Sequence, residues 1–333
     1  MMRKCIFALC LVLSYVGNVS AQVTFRFSDG IDNQSLKAGV ERSVSALLSE
    51  INNAEAAGRE INLSAIPMEA NAREGLTSLW RNIRFRCEWT NNVQSCLQDM
   101  TGYEIRQIPV EMKPLGNTYR GELHKELTVS FSRQGTITGV RMAMDKNSYM
   151  ALMRGGNSNV EMRMRNEILK FVEDFRSYYV EKNIDALKNI FSDDALIITG
   201  RVIRRVEANN VDGISKRVRE KVVYSKQSKK QYMDNLQALF KSTRYVHVDF
   251  SDIDIIRHGS NPKIYGVRLR QKWHSQRYNG NQYADDGTVF LLWDFTDEDN
   301  PQIYVRTWTP LQAGGDGDDF TPEQFYLPNR SLK

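Results

Sequence analysis

The groups in this chain that could do chemistry are few: a cysteine pair, two adjacent aspartates, four histidines and aromatic side chains on alternating positions. Cys87 and Cys96 stand nine positions apart. In an oxidising compartment an even pair at this spacing reads as a local disulfide, and the alternative is two buried thiols. Closing so short a loop contributes about 2–3 kcal/mol when its geometry is unstrained. No histidine or further cysteine lies nearby to complete four ligands, so no metal site is expected. Asp194, with Asp193 beside it, could act as a general base if burial raised its pKa beside a substrate. Aspartates in this setting also simply end turns. No phosphate loop, GxSxG, HExxH or paired CxxC occurs, so no cofactor is expected either.

Alternation decides which of these side chains share a face. From Tyr265 to Ser275, Val267, Leu269, Gln271 and Trp273 fall on the apolar side, and Arg268, Arg270, Lys272 and His274 on the other. Val289, Leu291, Trp293 and Phe295 form a second row. Ile303, Val305 and Thr307 form a third, which puts Tyr304, Arg306 and Trp308 outward. Val246, Val248 and Phe250 alternate with His247 and Asp249. The pattern implies an antiparallel sheet with one covered face. His247 and His274 then face away from the covered side, while His258 falls in a turn and His124 in an earlier strand.

The sheet needs helices to cover it. Ile168, Phe171, Val172, Phe175, Tyr178 and Tyr179 make a broad apolar helical stripe. A short helix starts at Asn183, a strand runs over Ala195–Thr199 to Gly200, and a later helix carries Tyr232, Met233, Leu236, Leu239 and Phe240. Residues about 35–145 run in a similar order. A helix opens at Ser35 with Val40, Val44, Leu47, Leu48 and Ile51 inward. A second holds Leu76, Leu79, Trp80 and Ile83, and strand-like runs follow at Tyr103–Met112, Tyr119–Ser132 and Thr136–Asp145. Gly155, Gly156, Asn157 and Ser158 break the chain between the two halves.

The first 21 residues read as a cleaved export signal: Arg3 and Lys4, the apolar run Cys5–Val16, then small residues before Gln22. No later run is long and apolar enough to span a bilayer, so an integral membrane protein is not expected. Loss of Arg3 and Lys4 lowers the net charge from +5 to +3. That is too mild a balance to argue for nucleic acid. Charge is concentrated in residues 201–230, where ten Lys or Arg meet only Glu207, Asp212 and Glu220. That segment could attract an anionic partner, or be a solvated hairpin or loop. Only Tyr224 interrupts its later half, so the aromatic interleaving used on single-stranded nucleic acid is missing.

Three stretches carry a family resemblance: Glu167–Gly200 with its Asn183-Ile184-Asp185-Ala186-Leu187 segment, the helix at Lys230–Phe240, and the strands Ile264–Trp273, Thr288–Phe295 and Ile303–Thr309. In this order they resemble the nuclear transport factor 2-like (SnoaL-like, cone-shaped) fold, and in detail exported proteins of that fold from Bacteroidetes-type bacteria. The resemblance covers about 145 residues well and the first half only in element order. It implies an α+β chain of two tandem cone-like domains, each with helices on a curved antiparallel sheet. The expected division is 1–21 signal, 22–148 first domain, 149–165 connector, 166–312 second domain and 313–333 tail. It also implies a pocket inside each cone, with Tyr178, Tyr179, Asp194, Gln271, Trp273 and Trp293 as candidate lining residues of the second. The aromatic members could serve as a stacking wall or as core. The fold serves enzymes, binders and docking modules alike. With no confident acid–base pair inward, the expectation is a non-catalytic envelope protein, periplasmic or secreted. It would bind a small apolar ligand or dock another envelope protein, with a second chain as one candidate for its open sheet face. The alternative is a lyase, isomerase or hydrolase acting on a small apolar molecule.

Overall fold

The computed structural model of the chain describes residues 22–99, 101–114, 121–144, 146–154, 160–208, 216–298, 300–311 and 321–325, with no side-chain description over 202–221. The expected signal, the glycine-rich break and most of the tail lie outside the described residues.

The first half is β1 (Thr24–Asp29), α1 (Gln34–Ala56), α2 (Ala70–Asn82), β2 (Arg84–Cys87), β3 (Thr90–Gln98), β4 (Gly102–Lys113), β5 (His124–Ser132) and β6 (Ile137–Met142). Its helix α1 starts two residues earlier than a cap at Ser35 would give, because the Asn33 side chain accepts the Leu36 N–H at 3.0 Å and caps the first turn. The sheet runs β1-β3-β4-β5-β6, with β2 also on β4. β1 lies parallel to β3, so this sheet is mixed rather than purely antiparallel. Its core is confined to residues Val23–Met142, around Trp80, Phe25, Phe85 and Phe131.

After α3 (Lys146–Arg154), the second half is α4 (Met162–Val180), α5 (Ile184–Ile190), β7 (Phe191–Ala208), β8 (Lys216–Ser228), α6 (Lys229–Ser242), β9 (Thr243–Arg257), β10 (Ile264–Arg277), β11 (Gln282–Asp294) and β12 (Gln302–Pro310). Its sheet order is β8-β7-β12-β11-β10-β9. The short strand expected at 195–199 continues to Ala208 and pairs antiparallel with β8, so residues 201–208 and 216–228 of the basic segment are sheet strands. α6 opens with a reciprocal cap between Ser228 and Gln231. Helices α4 and α6 cover one face of the sheet. Phe175, Tyr179, Phe191, Trp273, Trp293 and Phe295 fill the space between as a continuous aromatic network. The other face carries a smaller apolar patch of Ile264, Phe290, Leu292, Tyr304 and Val305. The tail covers part of it: Phe325 stacks on Phe290 at 5.6 Å, and Pro322 sits where a Cβ on Gly266 would point.

The halves meet through charge. Helix α4 carries Glu173, fully buried, against the first sheet. Its carboxylate accepts two bonds from Arg106 (2.6 and 3.0 Å), one from Arg141 Nε (3.2 Å) and one from the Met144 N–H (2.8 Å). Glu104 pairs with Arg106 at 2.7 Å and also with Arg141. Arg176 donates to the Met142 carbonyl, and Asp174 lies 3.5 Å from Arg141. Three acidic and three basic side chains thus balance. Tyr149 of α3 lies under Arg106, 4.8 Å from ring to guanidinium. At the edge of the junction Lys125 bonds Asp249 at 2.9 Å, and His247 bonds the same carboxylate at 2.6 Å.

The expected disulfide is absent: Cys87 and Cys96 are both free and buried. Cys87 opposes Val110 and Cys96 opposes Ile105 on the same edge of β4. Five positions along a strand separate their α-carbons by roughly 13–16 Å, against the roughly 4.4–6.8 Å that a disulfide spans. Burial pushes the thiols up to about 11 and about 12, so neither is reactive. The intact mass is therefore expected to be unchanged by reduction, and alkylation to require unfolding. A gain of two hydrogens on reduction would contradict this.

Candidate functional site

In the second half the expected inward row of β10 holds. Gln271 (5% exposed) and Trp273 (8%) are on the helix-covered face. The β12 assignment reverses partway along. Trp293 pairs with Ile303 and Leu292 with Val305, so Tyr304 is an extra residue in β12, a β-bulge. Beyond it every side chain changes face. Arg306 and Trp308, expected outward, lie opposite Leu291 and Val289 on the covered face. Strict alternation cannot show a bulge, and for this reason the two residues were misplaced.

The consequence is a polar cluster inside the cone. Arg306 is 4% exposed. Its Nη2 donates to Gln271 Oε1 at 3.3 Å, and its guanidinium lies 5.3 Å from the Tyr232 ring. The Tyr232 and Tyr179 hydroxyls bond each other at 2.7 Å. Burial, then Tyr232, raises the Tyr179 pKa well above the ordinary phenol range, so it holds its proton. Among the described residues Arg306 Nε has no hydrogen-bond partner, and neither has Trp308 Nε1.

Gly287 makes this arrangement fit. It pairs with Gln271 on one side and Pro310 on the other. A Cβ there would come within 2.8 Å of Trp308 Nε1. Two residues earlier on the same face, Asp285 sits opposite Trp273. Its Oδ2 accepts from the Tyr283 hydroxyl at 2.9 Å, while its buried Oδ1 has no partner. Burial is the largest influence and raises the Asp285 carboxyl, against the pull of Tyr283 and Arg306. Tyr283 itself is 57% exposed and marks the mouth.

The other candidates are corrected. Trp293 is fully buried among Phe171, Phe175 and Phe295 and belongs to the core. Asp194 is exposed and lies outside the cone. Tyr178 faces a groove of about 500 Å³ between the halves, together with Asp174, Glu181 and Gly75. Glu181 lies against Gly75, whose Cβ would be 3.0 Å from its carboxylate. Burial first and the Asp174 charge second push its pKa up to about 8. Glu181 ionises near 4.5 when unfolded and near 8 when folded, so it lowers stability as pH rises between those values. Glu181→Gln is expected to stabilise the protein at pH 9 by roughly 1–3 kcal/mol, the partial exposure of the site limiting the gain. Urea unfolding at pH 9 checks it, and a loss of stability there would contradict it.

No protein-family model matches the chain, and no curated protein does. Solved structures do. A nuclear transport factor 2-like superfamily protein from Salmonella enterica serovar Typhimurium is 12% identical, with TM-score 0.33 over 46% of this chain and 96% of its own. A provisionally assigned scytalone dehydratase from Novosphingobium aromaticivorans is 12% identical, with TM-score 0.32 over 50% and 88%. Naphthalene 1,2-dioxygenase with indole bound is 7% identical, with TM-score 0.37 over 51% and 90%. The second half follows the helix, short helix, strand, helix and antiparallel-strand order of the sequence resemblance, with β8 as an added strand. The chain is α+β, helices packed on curved sheets, twice over.

Proposed function

We propose that this is an exported, non-catalytic protein of two domains, the second of which binds a small ligand at the mouth of its cone. The observation that carries this reading is the buried Arg306 guanidinium, which holds Gln271 by one long hydrogen bond, faces Tyr179 and Asp285, and leaves its Nε without a partner among the described residues. A buried donor left unpaired is costly, and chains retain one where something else completes its bonding. The apex is packed with rings, so the ligand sits at the mouth, between Tyr283 and Trp308. Asp285 favours a second reading, a lyase, isomerase or hydrolase with this carboxylate as base. Catalysis is the weaker reading, because burial raises the Tyr179 pKa well above the ordinary phenol range and no matched acid stands beside Asp285 among the described residues. Export rests on the basic, apolar and small-residue order of the first 21 residues. Native mass spectrometry of protein taken from its own host's envelope fraction tests both points. A chain beginning at Gln22 that carries a small molecule supports the reading. An empty chain, or one bound only to another protein, counts against it.

A further inference from the structure

We propose that the β7–β8 hairpin is a docking arm for an anionic phospholipid surface, separate from the ligand at the cone mouth. Its geometry follows from the register. β12 pairs with β7 as far as Thr199, and β8 is the last strand of the sheet. Beyond that point β7 and β8 stay paired with each other, from Arg201 opposite Val223 to Ala208 opposite Lys216. At about 3.3 Å per residue this is an arm roughly 25 Å long. Neither of its edges carries a third strand among the described residues. Two strands alone are marginally stable in water and gain from a surface to pack on.

Residues paired across such a ladder stand on one face of it, and the faces alternate along each strand. One face takes Arg201, Arg205, Arg217, Arg219 and Lys221 against a single carboxylate, Glu207, with Ile203 and Val223 among them. The other takes Val202, Val206, Val218 and Val222. Arg204 and Glu220 share the valine face, but they are register partners of opposite charge and offset each other. At the root of the arm Val223 and Tyr224, on opposite faces, are each 41% exposed, so neither face is covered there. The two faces together select the partner. A soluble anion answers the arginines and leaves the valine row in water. An acidic protein needs an apolar strip in matching register, whereas an anionic bilayer offers both properties everywhere. Valines enter the headgroup boundary while the cations reach lipid phosphates. The bare strand edges hold the arm at that depth, because unpaired N–H and C=O groups are excluded from the hydrocarbon.

Cosedimentation with lipid vesicles tests this on protein purified from its own host. Vesicles of phosphatidylcholine alone are compared with vesicles of phosphatidylcholine and phosphatidylglycerol in equal parts. The expected result is binding to the anionic vesicles only, falling as salt is added. Arg205→Glu with Arg219→Glu, register partners on the basic face, should weaken it about tenfold or more. Val206→Ser with Val218→Ser, register partners on the valine face, should weaken it about fivefold or more. Lys241→Glu with Arg244→Glu makes the same change of charge at exposed positions outside the arm and should leave binding unchanged. Thermal midpoints of the variants separate lost binding from lost folding. Absence of binding to the anionic vesicles overturns the proposal, and so does equal weakening by the control pair. Full binding by the valine pair also overturns it, because charge alone would then account for the attraction. Capture of an acidic protein that depends on Arg205 and Arg219, with the vesicles ignored, assigns the arm to a protein and overturns the lipid surface.

Discussion

Replacing Glu173 with alanine is expected to cost about 3–5 kcal/mol, the usual cost of breaking a buried ion pair on one side. The variant leaves Arg106 and Arg141 without their shared acceptor at the junction of the two halves, and orphans the Met144 N–H. Glu104 still faces both arginines, but three cations then meet two anions in a region from which water is excluded. Glu173→Gln should lie between the two, because it keeps the shape and loses the charge. Urea unfolding at pH 7 reads the difference, and a loss below about 1 kcal/mol would mean that the junction is wetter than the structure shows. The same network sets the acid limit. Burial opposes ionisation of Glu173, but Arg106 and Arg141 outweigh it and hold its carboxyl at about 2, against 4.5 unfolded. A depressed carboxylate contributes stability above its unfolded value, and that contribution is lost as pH falls from about 5 toward 2. Asp249 acts in the same direction, since His247 and Lys125 together overcome its burial. Acid should therefore open the junction before it melts either core.

Trp293→Ala is expected to be as damaging, at about 3–5 kcal/mol, by a different route. The indole is wholly buried and packs 6.1–6.3 Å, centre to centre, from Phe171 and Phe175, with Phe295 on a further side. Its removal leaves a cavity among rings that cannot collapse together. Trp308→Phe, by contrast, should cost less than about 1.5 kcal/mol, as a volume-reducing swap at a half-buried position. Chemical denaturation of both variants separates core from mouth. Equal and small losses would mean that Trp293 lines an open pocket after all.

The second half was largely legible in the sequence because its strands are long and their apolar residues alternate. Val267–Trp273 and Val289–Phe295 keep their face throughout. The failures have identifiable causes. One extra residue, Tyr304, turned Arg306 and Trp308 inward, and periodicity carries no mark of a bulge. Asp285 was passed over because the apolar row begins only at Val289, although backbone pairing carries β11 back through the polar residues before it. In the first half, β1, β2 and β3 were missed. Thr90-Asn91-Asn92-Val93-Gln94 has little alternation and is held by pairing to distant strands rather than by its own preference. The junction could not be read at all. Glu104, Arg106, Arg141 and Glu173 are ordinary surface residues in a linear sequence, and only tertiary packing brings them together. The cysteine spacing suited a disulfide, but spacing along the chain says nothing of strand register.

A crystal structure of the protein grown with its co-purified molecule addresses the central claim most directly. The account predicts ligand density at the cone mouth, beside Tyr283 and Trp308. Density instead in the groove beside Tyr178 and Glu181, or a mouth that stays empty while the ligand binds elsewhere, would contradict it.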